Sequence, residues 1–317
     1  MSQSHNPALL PDALYSKSQV YIRRGLRAQG DGDSEEFQLW ASLALELLGK
    51  AALAKVHPAL IADPQHYQSL FAACGRHISP DIKTITAKTL FERLSHLDKA
   101  FDTRRKDTCE QMCLRRNAEL HSGESPFSGM PPDTWEMDFW WSSEIILSMQ
   151  GESLETWLGA EDAKTPAKIL KQVEKALAWS VKNRVIRCRE AFESSHKNAK
   201  ERKGIAEGSK KILWRDYTWD GSDRCSCPAC QSFGFLGGTL WEEEVLDSEP
   251  ASQGEDGEWW YPATETVRKS FSVEAFECPI CKLSLYGIKE IAAAGLPSDF
   301  ETEVERDRDF GPEYGND

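Results

Sequence analysis

Four cysteines stand in two pairs of identical spacing, Cys227-Pro228-Ala229-Cys230 and Cys278-Pro279-Ile280-Cys281. Two residues between thiols make a tight turn that presents both sulfurs to one point. Two such turns complete a tetrahedral set of four thiolates, the geometry that zinc accepts in structural sites. Cys227, Cys230, Cys278 and Cys281 are therefore expected to hold one structural Zn2+. Four thiolates leave no open coordination position, which argues against a catalytic ion. A redox C-x-x-C pair would need a thioredoxin-like strand and helix around it, and neither pair has one. The bland alternative is four unligated core thiols. Cys225, just before the first pair, is an alternative ligand. Metal binding would contribute folding free energy to a small module with little core of its own.

A second group with chemical potential is Arg116-Asn117-Ala118-Glu119-Leu120-His121. An imidazole can carry protons near neutral pH, and a guanidinium fork can hold two phosphate oxygens. On their own the two residues have simpler explanations. Arg116 can be a helix-end arginine with a buried stem, and His121 a cation at the negative end of a helix dipole. Five residues along an ideal helix also turn a side chain by about 140°. Convergence therefore needs the helix to end between them, or a second subunit to supply one of the groups. Glu119 lies inside the segment and could repel phosphate or hold Arg116.

In its setting, the segment resembles the R-x4-6-H motif of the HEPN superfamily of helical ribonucleases. The stretch RNAELHSGESPF carries the likeness, with Asn117 directly after the arginine as in many members, and the resemblance covers about Glu36 to Gly159. Similar prokaryotic toxin and phage-defence proteins join such a domain to further modules. The segment FECPICKLSLYGIKEI resembles zinc ribbons at the ends of such chains. The resemblance implies a metal-independent endoribonuclease in which two identical subunits share one cleft. RNA would be cut by its own 2'-OH, giving a 2',3'-cyclic phosphate and a 5'-OH end. His121 would move the proton, Arg116 would hold the phosphate, and Asn117 would position the phosphate or orient His121. An antitoxin or sensor would be a separate chain. The alternative is a non-catalytic RNA- or protein-binding module, or a scaffold subunit of a defence complex.

The elements that must position these residues are mostly helical by pattern. Residues 1–35 read as an irregular lead-in. A Leu- and Ala-rich helix is expected over about 36–55, ending before His57-Pro58 because proline disfavours helical geometry in the residue before it. Within it, Glu46 and Lys50 sit one turn apart and can pair, or Glu46 can face a polar site. Further helices are expected over about 85–101, 106–120 and 133–149, the last capped at Asp133. The helix over about 106–120 places Cys109, Met112, Cys113, Arg116 and Leu120 on its inward stripe. The clearest pattern is a long basic helix over 166–203, where Leu170, Val173, Leu177, Val181, Val185, Cys188 and Phe192 recur at three- and four-residue steps. From Trp214 the texture changes to strands, at about 232–245 and 259–276, around an acidic loop. The expected fold class is mainly α: a HEPN-like helical bundle over 36–213, a small β zinc ribbon over 214–300, and a loosely ordered acidic tail over 301–317.

Composition sets the outer limits. The chain has 317 residues, 40% of them hydrophobic, enough for a sizeable core in more than one domain. Its net charge is -13, which excludes a generic polyanion binder, but the charge is uneven. Gly151–Asp220 holds fifteen Lys and Arg against eleven Asp and Glu, whereas Gly221–Asp317 holds seven against twenty-one. A basic stripe can bind a phosphate backbone even on an acidic protein, or can be only a solvated helix face. The opening MSQSHNPALLPDALY lacks the basic and apolar regions of a signal peptide, and the apolar run Phe37–Ala54 carries two charges near its middle. With nine cysteines, an odd number, these features predict a cytoplasmic chain with no membrane span. Eleven Trp, including Trp140-Trp141 and Trp259-Trp260, either fill the core or mark an interface.

Overall fold

The computed structural model describes residues 6–76, 78–212, 219–247, 252–253, 259–260 and 264–307. The chain divides into two compact units, Met1–Ala176 and Leu177–Asp317. The division falls inside a helix, well before the boundary expected near residue 213.

Unit 1 is helical. It opens with α1 (Pro11–Gly30) and α2 (Ser34–Val56), joined by a turn in which Gly32 takes φ +84°. Asp33 caps α2 by accepting from the Glu36 N–H at 2.8 Å. Residues 11–30 correct the irregular lead-in expected there. The buried stripe of α1 is Leu14, Ser18, Ile22, Gly25 and Ala28, at helical spacing but with three small residues. Those residues carry little hydrophobic signal, yet they let α2 approach closely. A Cβ on Gly25 would lie 3.1 Å from the Phe37 ring and 3.2 Å from Trp40. Ser18 also accepts from the buried indole of Trp157 at 2.9 Å.

The central element is α2, with Phe37, Ala41, Ala44, Leu45, Leu48, Ala51 and Leu53 buried along its length. Around it pack α4 (Ala87–Ser95), α5 (Thr103–His121) and α6 (Glu136–Ser148), with two shorter helices, α3 (Tyr67–Ala73) and α7 (Leu154–Leu158). Helix α6 starts three residues after Asp133, which lies in a single 3-10 turn, Pro132–Thr134, and does not cap it. Of the inward stripe predicted for α5, Cys109, Met112, Cys113 and Arg116 are buried, whereas Leu120, in the last turn of the helix, is 49% exposed. Burial pushes the Cys109 and Cys113 thiols up to about 12, so both are packing groups. Trp140 and Trp141 are core residues as well, whereas Trp179 is 70% exposed and the side chains of Trp259 and Trp260 lie outside the described residues.

The long basic helix runs as α8 (Lys164–Ser195) and not to 203. The chain breaks at His196-Lys197-Asn198, and Asn198 caps a separate helix, α9 (Ala199–Ser209), by accepting from the Lys200 N–H. Within unit 2, Val181, Val185, Cys188 and Phe192 of α8 pack against a sheet.

That sheet overturns the expected fold class. The C-terminal region carries a curled antiparallel half-barrel, not a small ribbon on a mainly helical protein. It comprises β1 (Gly221–Ser226), β2 (Phe233–Asp247), β5 (Thr264–Glu277), β6 (Ser284–Tyr286) and β7 (Asp299–Asp307), while β3 (Ser252–Gln253) and β4 (Trp259–Trp260) pair separately. The long β2–β5 hairpin shifts register at Gly237/Gly238, Leu240/Glu242 and Val245/Asp247. Such bulges bend a strand and increase its twist, which curls the sheet. Gly221, Gly234 and Gly237 lie under the rings of Phe271, Phe276 and Trp219, where a Cβ would come within 2.5 Å of ring carbons. Strand β7 covers Glu301–Asp307, all of the described part of the expected loose tail. Its pairing with β5 is ordered even though Phe300 is its one buried residue. The short helix α10 (Ile288–Ala293) closes the core through Ile291.

Candidate functional site

Strand register places the cysteine pairs together. The first pair occupies the turn from β1 to β2 and the second the turn from β5 to β6. Phe235 near the start of β2 pairs with Glu277 at the end of β5, so both turns lie at one end of the sheet. The two turns repeat each other. Cys227 N–H donates to the Ser232 carbonyl and Cys278 N–H to the Leu283 carbonyl, each at 2.8 Å. Gln231 N–H donates to the Cys227 carbonyl and Lys282 N–H to that of Cys278. The residue after each second cysteine takes the left-handed conformation, Gln231 at φ 61° and Lys282 at φ 63°. The Ala229 N–H donates to the Cys227 sulfur at 3.4 Å, support for a thiolate.

The four sulfurs lie within 4.8 Å of one another, with Cys227–Cys281 and Cys230–Cys278 each at 3.6 Å. A tetrahedron with metal–sulfur bonds of about 2.3 Å has sulfur–sulfur edges of about 3.8 Å. The donor set therefore fits a tetrahedral metal, and it is the group of such residues found among the described ones. None of the nine cysteines is in a disulfide. The crowded thiols also bind one another's protons: hydrogen bonding between them raises Cys227 and lowers Cys230. Cys225 stands outside the cluster, on β1 opposite Gly234. Sequence reasoning missed Arg189. From α8 it donates to the Pro228 carbonyl at 2.8 Å and the Ala229 carbonyl at 3.3 Å, bracing the first turn. Its spacing from the cysteines carries no signal of this.

The Arg116–His121 segment is positioned differently. Helix α5 continues unbroken through His121, and Ser122 N–H still donates to the Ala118 carbonyl at 3.0 Å. Arg116 is 9% exposed and points inward, whereas Asn117 and His121 are exposed one turn apart. One chain thus does not bring Arg116 and His121 together. Arg116 Nη2 donates to Glu46 Oε2 at 2.6 Å, and Lys50 Nζ donates to Glu46 Oε1 at 2.7 Å and to Thr84 Oγ1 at 3.0 Å. Burial pushes the Glu46 carboxyl up, but Lys50 and Arg116 outweigh it and hold it below its ordinary value. Arg116 Nε and Glu119 Oε2 are buried with no hydrogen-bond partner among the described residues. The carboxylate on Arg116 is therefore Glu46, seventy residues away, and not Glu119.

A scan against protein-family models and searches of the curated proteins and the solved structures return no match. Among the described residues, no helix is long and apolar enough to cross a membrane.

Proposed function

We propose that this chain is an endoribonuclease of the HEPN type, acting as a cytoplasmic homodimer in toxin or antiviral defence, with a second unit held by one structural zinc ion. The observation that carries the reading is the end of α5. There the exposed Asn117 and His121 stand one turn apart, next to a buried cluster of two cations, Lys50 and Arg116, on one carboxylate. Exposed Leu114 and Leu120 flank them, at 57% and 49% exposure, and offer apolar surface for a second copy. In the assembled cleft His121 would transfer the proton of the 2'-OH or of the leaving 5'-oxygen. Asn117 would position the phosphate, and Arg116 would stabilise its added charge from behind. An antitoxin or sensor would be a separate protein that covers this face. Zinc is the ion of choice for four thiolates in a closed site and takes no part in the cleavage.

A second reading, a non-catalytic RNA- or protein-binding module, is favoured by one observation: the Glu46 ion pair already occupies Arg116. The two readings separate when end-labelled RNA is incubated with zinc-loaded protein, with no other divalent cation. The nuclease reading expects RNA and not DNA to be cut, with 2',3'-cyclic ends. In His121→Ala, cleavage falls by about 10²–10⁴, the usual contribution of a positioned proton donor or acceptor, with no change in melting. Unchanged cleavage by His121→Ala overturns it, and RNA binding with no cleavage establishes the second reading.

A further inference from the structure

Unit 2 separates its charge. Across Leu177–Ile212, ten Lys and Arg stand against four Asp and Glu, in a chain whose net charge is -13. The sheet has the opposite balance, with Glu242, Glu244, Glu301 and Glu303 exposed on β2 and β7. Where the C-terminal half of α8, α9 and the first cysteine turn meet, they enclose a cavity of about 690 Å³. Arg189, Arg202, Lys203 and Glu193 line it, over a floor that includes Cys230 and Gln231.

The cations do not have equal roles. Arg189 is committed to the Pro228 and Ala229 carbonyls, so its charge is spent on the cysteine turn. That placement would offset the net negative charge of a divalent ion held by four thiolates. Arg202 uses Nη1 on the His196 carbonyl, and neither Arg202 nor Lys203 has a carboxylate within ion-pair distance among the described residues. Beyond the cavity the positive charge continues along exposed Lys197 and Lys200 at the start of α9. A cavity lined by two cations that meet no carboxylate at ion-pair distance, with exposed lysines nearby in the chain, suits an extended polyanion better than a single small anion.

We propose that this cavity binds the phosphodiester backbone of single-stranded RNA, with Arg202 and Lys203 as the phosphate contacts. The choice of RNA over an acidic polypeptide rests on the reading of unit 1 as RNA-directed. The site itself is separate from the α5 residues. It would hold substrate without taking part in the chemistry, and the charge segregation would orient the strand away from the acidic sheet.

The test titrates the full zinc-loaded chain with a fluorescent single-stranded 2'-O-methyl oligonucleotide, which lacks the nucleophile and is not cut. Binding is measured by anisotropy at several salt concentrations. Each phosphate contact contributes about 0.7 to the slope of log affinity on log salt for a single strand. Lys203→Gln is expected to lower that slope by about 0.7, and Arg202→Gln with Lys203→Gln by about 1.4 with roughly tenfold weaker binding at low salt. Lys171→Gln with Lys175→Gln, the same charge change in unit 1, is expected to bind as wild type. Retained zinc shows that each variant of unit 2 is folded. Wild-type affinity and slope in the Arg202/Lys203 variant overturn the proposal, as does equally tight binding of polyglutamate. RNA that is bound in this cavity but never cut sinks the nuclease reading and leaves the cavity standing. RNA cut by the double variant with unchanged rate and salt dependence does the reverse.

Discussion

Cys278→Ser is expected to abolish metal binding and unfold the sheet of unit 2, while unit 1 keeps its own cooperative melt. Serine preserves the shape of cysteine but is a poor ligand, so the change removes one corner of the tetrahedron and little packing. The two cysteine turns join β1 to β2 and β5 to β6 at the end of the sheet where Phe235 pairs with Glu277. Gln231 and Lys282 both take a left-handed backbone there, a strained choice for residues with side chains. A structural zinc site contributes an apparent binding free energy of about 10–16 kcal/mol, comparable to the whole stability of an ordinary domain, about 5–15 kcal/mol. Without the ion, four thiols within 4.8 Å of one another are only crowded hydrogen-bond partners. Hydrogen exchange followed by peptide mass should show protection lost across β1, β2, β5 and β6 and kept across α2, α4, α5 and α6. Cys225→Ser, two residues before the first ligand, should leave metal content unchanged.

The second large effect lies in unit 1. Glu46→Ala should destabilise it by about 3–5 kcal/mol, because Lys50 and Arg116 would be left buried without their counter-charge. Replacing all three by hydrophobic residues of similar size should recover most of that loss, since removing a buried ionic cluster entirely is often neutral. The pH dependence has a definite sign. Despite burial, Lys50 and Arg116 keep the folded Glu46 carboxyl below its ordinary value, so the folded state binds its proton later than the unfolded state does. The contribution is fully present above the unfolded value, about 4.3, and is lost as pH falls through the folded one. Urea midpoints of unit 1 should therefore drop between neutral pH and about pH 3.5 more steeply in wild type than in the hydrophobic triple variant. Equal drops would show that Glu46 is not held by its neighbours.

How much of this was legible in the sequence follows from where the information resides. The cysteine turns were readable because C-P-x-C fixes its own local geometry, and only the sheet register was needed to join them. The inward stripe of α5 was readable because Cys109, Met112, Cys113 and Arg116 keep helical spacing. Helix α1 was not, because its contact with α2 uses Ser18, Gly25 and Ala28, whose value lies in closeness and not in hydrophobicity. Strands β1 and β7 were hidden for a related reason. Their residues are largely polar and exposed, and what orders them is pairing with β2 and β5. The Glu46–Arg116 bond spans seventy residues, and its one trace was a carboxylate in the apolar middle of α2, where Lys50 offered itself as the simpler partner.

The central claim is that Cys227, Cys230, Cys278 and Cys281 form one closed metal centre that organises unit 2. Native mass spectrometry of the full chain, purified without added metal and compared with its denatured mass, tests it most directly. One zinc per chain in the wild type, absent from Cys278→Ser, is the predicted result. A wild-type mass that carries no metal, with unit 2 still protected in hydrogen exchange, would contradict it.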